Sequence, residues 1–171
     1  MSSTQSVTSR IGWKSAAPFV LLGVVAVVAG GLFSALTAST PSRQGAWLVA
    51  YLVLVVGVAQ IGLGAGQSWL AERPLEGGLL ATEFLLFTLG NLGVAAGTML
   101  SLPILVDLGG VLLVASLVLF LWGVRGWGVR GSGVRGSIKG GWLRYVYRAL
   151  VVLLLMSIPI GLVLAQIRAA Q

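Results

Sequence analysis

The stretch LLATEFLLFTLGNLGVAAGTML (79–100) runs directly into SLPILVDLGGVLLVASLVLFLW (101–122), and its reading decides the fold. Its only charged residues are Glu83 and Asp107. As one helix, about 44 residues at about 1.5 Å each would reach about 66 Å, twice the roughly 30 Å of a bilayer's hydrocarbon core. A turn must interrupt it. Ser101-Leu102-Pro103 is the natural place, because Ser can cap a new helix and Pro is tolerated in a helix's first turn. The stretch therefore predicts a tight hairpin of two membrane helices.

Working outward, three further apolar stretches have the same length, giving five expected spans at 16–38, 46–70, 79–100, 102–122 and 145–167. Each is continuously apolar without the alternation of a membrane barrel strand, so the expected fold is all-α, a polytopic helical bundle. A tail at 1–15 precedes a single transmembrane domain at 16–170. Composition agrees: 57% of residues are hydrophobic, 9% are charged and mean hydropathy is +1.01, against about 25% charged in a soluble domain. The first span also has features of a signal peptide, a basic start and small residues near Ala35 and Ala38. Its apolar run exceeds the roughly 7 to 15 residues of a signal core, however.

Charge gives the orientation. With five spans, Arg10, Lys14, Arg73, Arg125, Arg130, Arg135, Lys139, Arg144 and Arg148 fall on one side, and Arg43 and Arg168 on the other. Positive residues are retained in the cytoplasm, so the N-terminus is expected inside and the C-terminus outside a bacterial cytoplasmic membrane. Trp13, Trp69, Trp122, Trp142, Tyr145 and Tyr147 then mark the inner interface, and Trp47 and Tyr51 the outer one.

The chain contains neither His nor Cys. Disulfides, thiolate nucleophiles, Cys or His zinc sites, His-ligated haem and histidine general bases are therefore excluded from this chain alone. No cofactor and no metal are expected. Met99 and Met156 lie on different helices and read as core filling. A membrane Ser without a His or Lys nearby has no base, so an enzyme is not expected.

Between the last two spans, 123–141 carries three copies of a Gly-Val-Arg-Gly repeat followed by Ile138-Lys139-Gly140-Gly141. Glycine at two positions in five destroys helix propensity, and the regular Arg spacing leaves no apolar face. The reading is a cytoplasmic loop. Arg125, Arg130, Arg135 and Lys139 are candidates to contact anionic lipid headgroups, at about 1 kcal/mol per basic residue near the surface. The plainer reading is that the loop only fixes topology. Nucleic acid is not an expected partner.

Ionisable groups within spans are candidate functional groups because they are costly there. Asp107 follows the 101–103 turn, where a helix start favours negative charge, and Arg43 or Arg168 is on its side. Glu83 starts its own span at the depth where Arg148 enters. Structural roles explain both. The alternative is a proton or cation path with the two carboxylates as its ends, about 18 Å apart at about 1.5 Å per residue, needing Asn91, Thr98 and Gln60 as steps. Gly57, Gln60, Gly64 and Gln67 share one helical stripe, matched by Glu83, Gly90 and Gly97 on the third span, and Ala26, Gly30, Ser34 and Ala38 repeat at four on the first. These rows read as packing seams, or as a narrow polar cavity lined by Gln60, Gln67 and Glu83.

Ala17-Pro18-Phe19-Val20-Leu21-Leu22-Gly23, Val106-Asp107-Leu108-Gly109-Gly110 and Ile158-Pro159-Ile160-Gly161, with nine Arg to two Lys, give the chain its likeness. It resembles short polytopic membrane proteins of high-GC actinobacteria, a resemblance that implies membrane residence and no particular activity. The expected role is a non-enzymatic structural or accessory subunit packing with itself or with a larger membrane complex. The alternative is a small oligomeric transporter or channel component for a proton, cation or small solute. Deleting one or two of the Gly-Val-Arg-Gly repeats is expected to leave topology unchanged, as read by protease accessibility in oriented vesicles. Lost binding of anionic lipid or of a partner in the same variant, with topology unchanged, would give the loop a binding role.

Overall fold

In the computed structural model, which describes residues 3–70, 77–124 and 145–158, every regular element is a helix. They are α1 (Ser3–Leu36), α2 (Arg43–Tyr51), a π-helical stretch (Leu52–Ala59), α3 (Gln60–Leu70), α4 (Gly77–Met99) and α5 (Pro103–Val124), with α6 at Tyr145–Ile158. The segments α2, π and α3 form one continuous rod. Four helices are long and apolar enough to cross a membrane: Ser15–Leu36, Arg43–Ser68, Gly77–Met99 and Pro103–Gly123.

This corrects the expected five spans to four among the described residues. At about 1.5 Å per residue α6 reaches about 21 Å, short of a roughly 30 Å core, and the rest of that expected span, 159–167, lies outside the described residues. The helix expected to begin at 16 begins at Ser3, so the 1–15 tail is mostly continuous with it. The repeat loop is shortened at its start, because α5 runs through Gly123 to Val124.

The turns follow from local chemistry. Thr37 ends α1 by donating both its amide and its hydroxyl to the Phe33 carbonyl, at 3.0 and 2.8 Å. Ser42, extended at φ −123°, starts α2 by accepting the Gly45 amide at 3.0 Å, which satisfies one of the free donors of a helix start. The 79–122 hairpin turns where expected, but by a different device. Ser101 adopts a left-handed φ of 55°, and the next amide, Leu102, donates back to Gly97 at 2.8 Å. Ser101 therefore closes α4 in a Schellman-type turn and does not cap α5. The Leu102 carbonyl opens α5 by accepting from Leu105 and Val106.

Packing within each hairpin depends on absent side chains. A Cβ on Gly109 would lie 2.6 Å from the Val94 amide nitrogen and 2.7 Å from the Gly90 carbonyl oxygen, and one on Gly97 would lie 2.7 Å from the Val106 nitrogen. The α4 and α5 backbones therefore touch. In the first hairpin, a Cβ on Gly23 would meet Ile61 and the Gly57 carbonyl, and one on Gly64 would meet Phe19. The predicted rows divide accordingly. Gly90 and Gly97 face α5 and not the second span, while Ala26 and Gly30 are buried and Ser34 and Ala38 are exposed.

Large side chains bridge the two hairpins. Phe19 of α1 meets Phe84 of α4 and Phe120 of α5 edge-on at 5.3 and 5.5 Å, and Phe87 meets Phe120 at 6.2 Å. Leu63, Leu113, Leu117 and Val151 complete this core. Lipid tails are as apolar as these side chains, so the cluster holds the hairpins by packing and shape rather than by escape from water. Helix α6 joins through Val151 and Tyr147. Tyr147 is 6% exposed with its ring over Gly66, so it is a core residue and not the interfacial anchor expected of it. Met156, expected in the core, is 63% exposed.

Gly109→Ala is expected to cost about 1–3 kcal/mol, because backbone atoms must move apart to admit the methyl. Gly62→Ala, with no atom within 4 Å of the added carbon, should be neutral or stabilising by about 0.5–1 kcal/mol. Unfolding of both variants in detergent micelles against the wild type measures the contrast.

Candidate functional site

A bilayer core offers no water to hydrogen-bond, so each polar group placed inside it needs a partner within the protein. Among the described residues, the buried polar side chains are Gln60, Gln67, Glu83, Asn91 and Ser116. Three of them meet where α3, α4 and α5 run side by side. The Gln67 Nε2 amide donates to both carboxylate oxygens of Glu83, at 3.0 Å to Oε1 and 2.8 Å to Oε2. Ser116 Oγ donates to the Glu83 main-chain carbonyl at 3.1 Å, which ties α5 to the same level. Glu83 is 0% exposed. Its acceptors are matched by an amide fork in place of the Arg148 pairing expected from depth, and Arg148 is exposed on α6.

A second polar contact lies toward the far end of α4. The Tyr51 hydroxyl donates to Asn91 Oδ1 at 2.7 Å, while Asn91 Nδ2 donates to the Phe87 carbonyl one turn back at 2.8 Å. Trp47 stacks on Tyr51 with ring centroids 5.0 Å apart. Nine residues of regular α-helix, at about 100° each from about 3.6 per turn, would put Tyr51 on the face opposite Gln60. The intervening π-helical stretch turns less per residue because its bonds reach five residues back. That lag brings Tyr51 round to α4, the helix that Gln67 also reaches.

The candidate relay residues do not form one line. Asn91 is committed to Tyr51 and Phe87, and Thr98 donates to the Val94 carbonyl at 2.7 Å. Asp107 is half-buried on α5. Ser116 marks the Glu83 level, so the two carboxylates stand nine residues apart on α5, about 14 Å along its axis at about 1.5 Å per residue. Gln60 and Gln67 do share the buried stripe with Gly57 and Gly64, and Gln67 meets Glu83 from it. The headgroup candidates Arg125, Arg130, Arg135 and Lys139 lie outside the described residues, as does Arg168.

Among the described residues, four buried polar atoms have no hydrogen-bond partner: Gln60 Nε2 and Oε1, Gln67 Oε1 and Thr88 Oγ1. Thr88 was not singled out in the sequence, because nothing in an apolar run marks a threonine hydroxyl that fails to bond its own helix. No family model, curated protein or solved structure matches the chain.

Gln67→Leu is expected to cost about 1–3 kcal/mol or more, since it strips the buried Glu83 carboxylate of both its amide bonds. The double variant Gln67→Leu/Glu83→Met replaces the pair with apolar groups of similar shape and should return near wild-type stability. A double-mutant cycle of unfolding in micelles reads this coupling.

Proposed function

We propose that the protein is a non-enzymatic subunit of a bacterial cytoplasmic membrane, packing against itself or a larger membrane complex. The observation that carries this reading is the separation of the span carboxylates. At about 14 Å apart along α5, at about 1.5 Å per residue, Glu83 and Asp107 do not converge on a reacting atom. Glu83 is moreover bonded within the bundle through Gln67. The outside is of the kind that meets lipid tails or a neighbour's helix, with Leu21, Leu32, Ile104, Leu108, Val111 and Leu153 all exposed. The orientation carries over from the charge pattern, with the N-terminus inside and the basic loop against anionic headgroups.

A second reading is a small oligomeric transporter or channel component for a proton, cation or small solute. The unpartnered amide of Gln60, at 0% exposure, favours it, because a committed packing residue would have its bonds satisfied.

Cross-linking in native membranes followed by mass spectrometry separates the two readings. A subunit is expected to yield discrete adducts with itself or a fixed partner, and Glu83→Gln should leave them intact. Proton- or cation-driven flux in liposomes that is lost in Glu83→Gln would replace the subunit reading with the transport one. In this cysteine-free chain, Ser132→Cys should label from the cytoplasmic side and Ser39→Cys from the outside. The reverse pattern would overturn the orientation.

A further inference from the structure

We propose that the Gln67–Glu83 contact is a proton-binding site, in which Glu83 stands inside the bundle as a neutral carboxylic acid paired with the Gln67 amide. Glu83 is six residues into the span Gly77–Met99, about 9 Å from its start at about 1.5 Å per residue, and is 0% exposed. An ion taken this far from water either meets an opposite charge or is neutralised by a proton. The group that meets both Glu83 oxygens is a neutral amide, with Gln67 Nε2 at 3.0 Å from Oε1 and 2.8 Å from Oε2. Its N–H groups bond the oxygens without bringing the positive charge of a guanidinium.

The chemistry of the pair favours a proton over a metal cation. A metal ion of the oxygen-binding kind takes several oxygen ligands. Here the amide turns hydrogens toward the carboxylate, and Ser116 Oγ gives its hydrogen to the Glu83 main-chain carbonyl at 3.1 Å. A proton needs a single lone pair, and each carboxylate oxygen has about two. When a proton from the aqueous phase forms the O–H bond on one oxygen, a turn about the broad last torsion of Gln67 brings the amide carbonyl opposite that O–H and leaves an N–H on the other oxygen. Acid and amide then exchange two bonds. The helices around the pair carry few other titratable groups among the described residues. There are none on α1 from Ser15 onward or on α3, and Glu83 is the one on α4. On α5 there is Asp107, nine residues from Ser116, and on α6 Tyr147 donates its hydroxyl to the Leu63 carbonyl at 3.4 Å while Tyr145 and Arg148 are exposed. A bound proton neutralises the acid of a packing subunit and is the cargo of a transporter, so the site stands apart from the choice between the two functional readings.

Infrared spectroscopy of the full chain in lipid nanodiscs at neutral pH tests it. The chain has three glutamates, Glu72, Glu76 and Glu83. In Glu72→Gln/Glu76→Gln only Glu83 is left, so a carboxylic-acid C=O stretch that carbon-13 labelling of glutamate moves to lower frequency belongs to it. That band is expected, and sodium, potassium or calcium chloride should leave it unchanged. Adding Gln67→Leu to the same background should raise its frequency, because hydrogen bonding lowers a C=O stretch. Labelled carboxylate stretches alone, with no acid band, would overturn the proposal by showing an ionised Glu83. An acid band lost on adding one of the salts would place a metal cation where the proton is proposed, and one indifferent to Gln67→Leu would refute the pairing.

Discussion

The contact between the α4 and α5 backbones at Gly90, Gly97 and Gly109 is the constraint from which the rest of the arrangement follows. Without side chains at the seam, the hairpin closes to main-chain contact, and α4 has one rotational setting against its partner. That setting places Ser116 on the Glu83 carbonyl and directs the Glu83 side chain out of the hairpin toward α3. It also presents Phe84, Phe87 and Phe120 as the surface on which Phe19 lands. A looser seam would allow α4 to roll and would separate the carboxylate from its amide.

The two hairpins are joined differently from the way each is closed. Inside a hairpin, small residues let backbones meet. Between hairpins, the gap is filled by phenylalanine rings and by the longest polar side chains present, glutamine and glutamate. In an apolar solvent the rings gain only packing, whereas each polar bond across the gap replaces an unsatisfied group. The Gln67 fork and the Tyr51–Asn91 bond therefore specify how the hairpins register, a role hydrophobic contact cannot fill here.

Much of this was legible in the sequence, and the failures have identifiable causes. Length arithmetic located the 79–122 hairpin, since no bilayer accommodates its residues as one helix. The stripe of Gln60 and Gln67 and its match with Glu83 were legible because amides and carboxylates are conspicuous in an apolar run at helical spacing. Periodicity does not say which neighbour a face meets, so Gly90 and Gly97 were assigned with Glu83 to the second span although they face α5. Ser101 was read as a cap from its residue type, whereas its left-handed backbone closes the preceding helix. Tyr51 was placed at the outer interface, and its bond to Asn91 was hidden because LVLVVGVA carries no signal that its turns are wide. Tyr147 was assigned to an interface by composition, although the small Gly66 on another helix provides room for its ring in the core.

The π-helical stretch also bears on how the chain matches a bilayer's thickness. The segment Arg43–Ser68 has 26 residues against 21 in Pro103–Gly123, and as regular α-helix the longer would measure about 39 Å at about 1.5 Å per residue, well beyond a roughly 30 Å core. Excess hydrophobic length is ordinarily absorbed by tilting or by thickening the surrounding lipid. Wider turns rise less per residue, so Leu52–Ala59 absorbs part of the surplus within the rod itself. The second span can then stand beside α1 and α4 at a similar inclination, with less local distortion of the lipid around it.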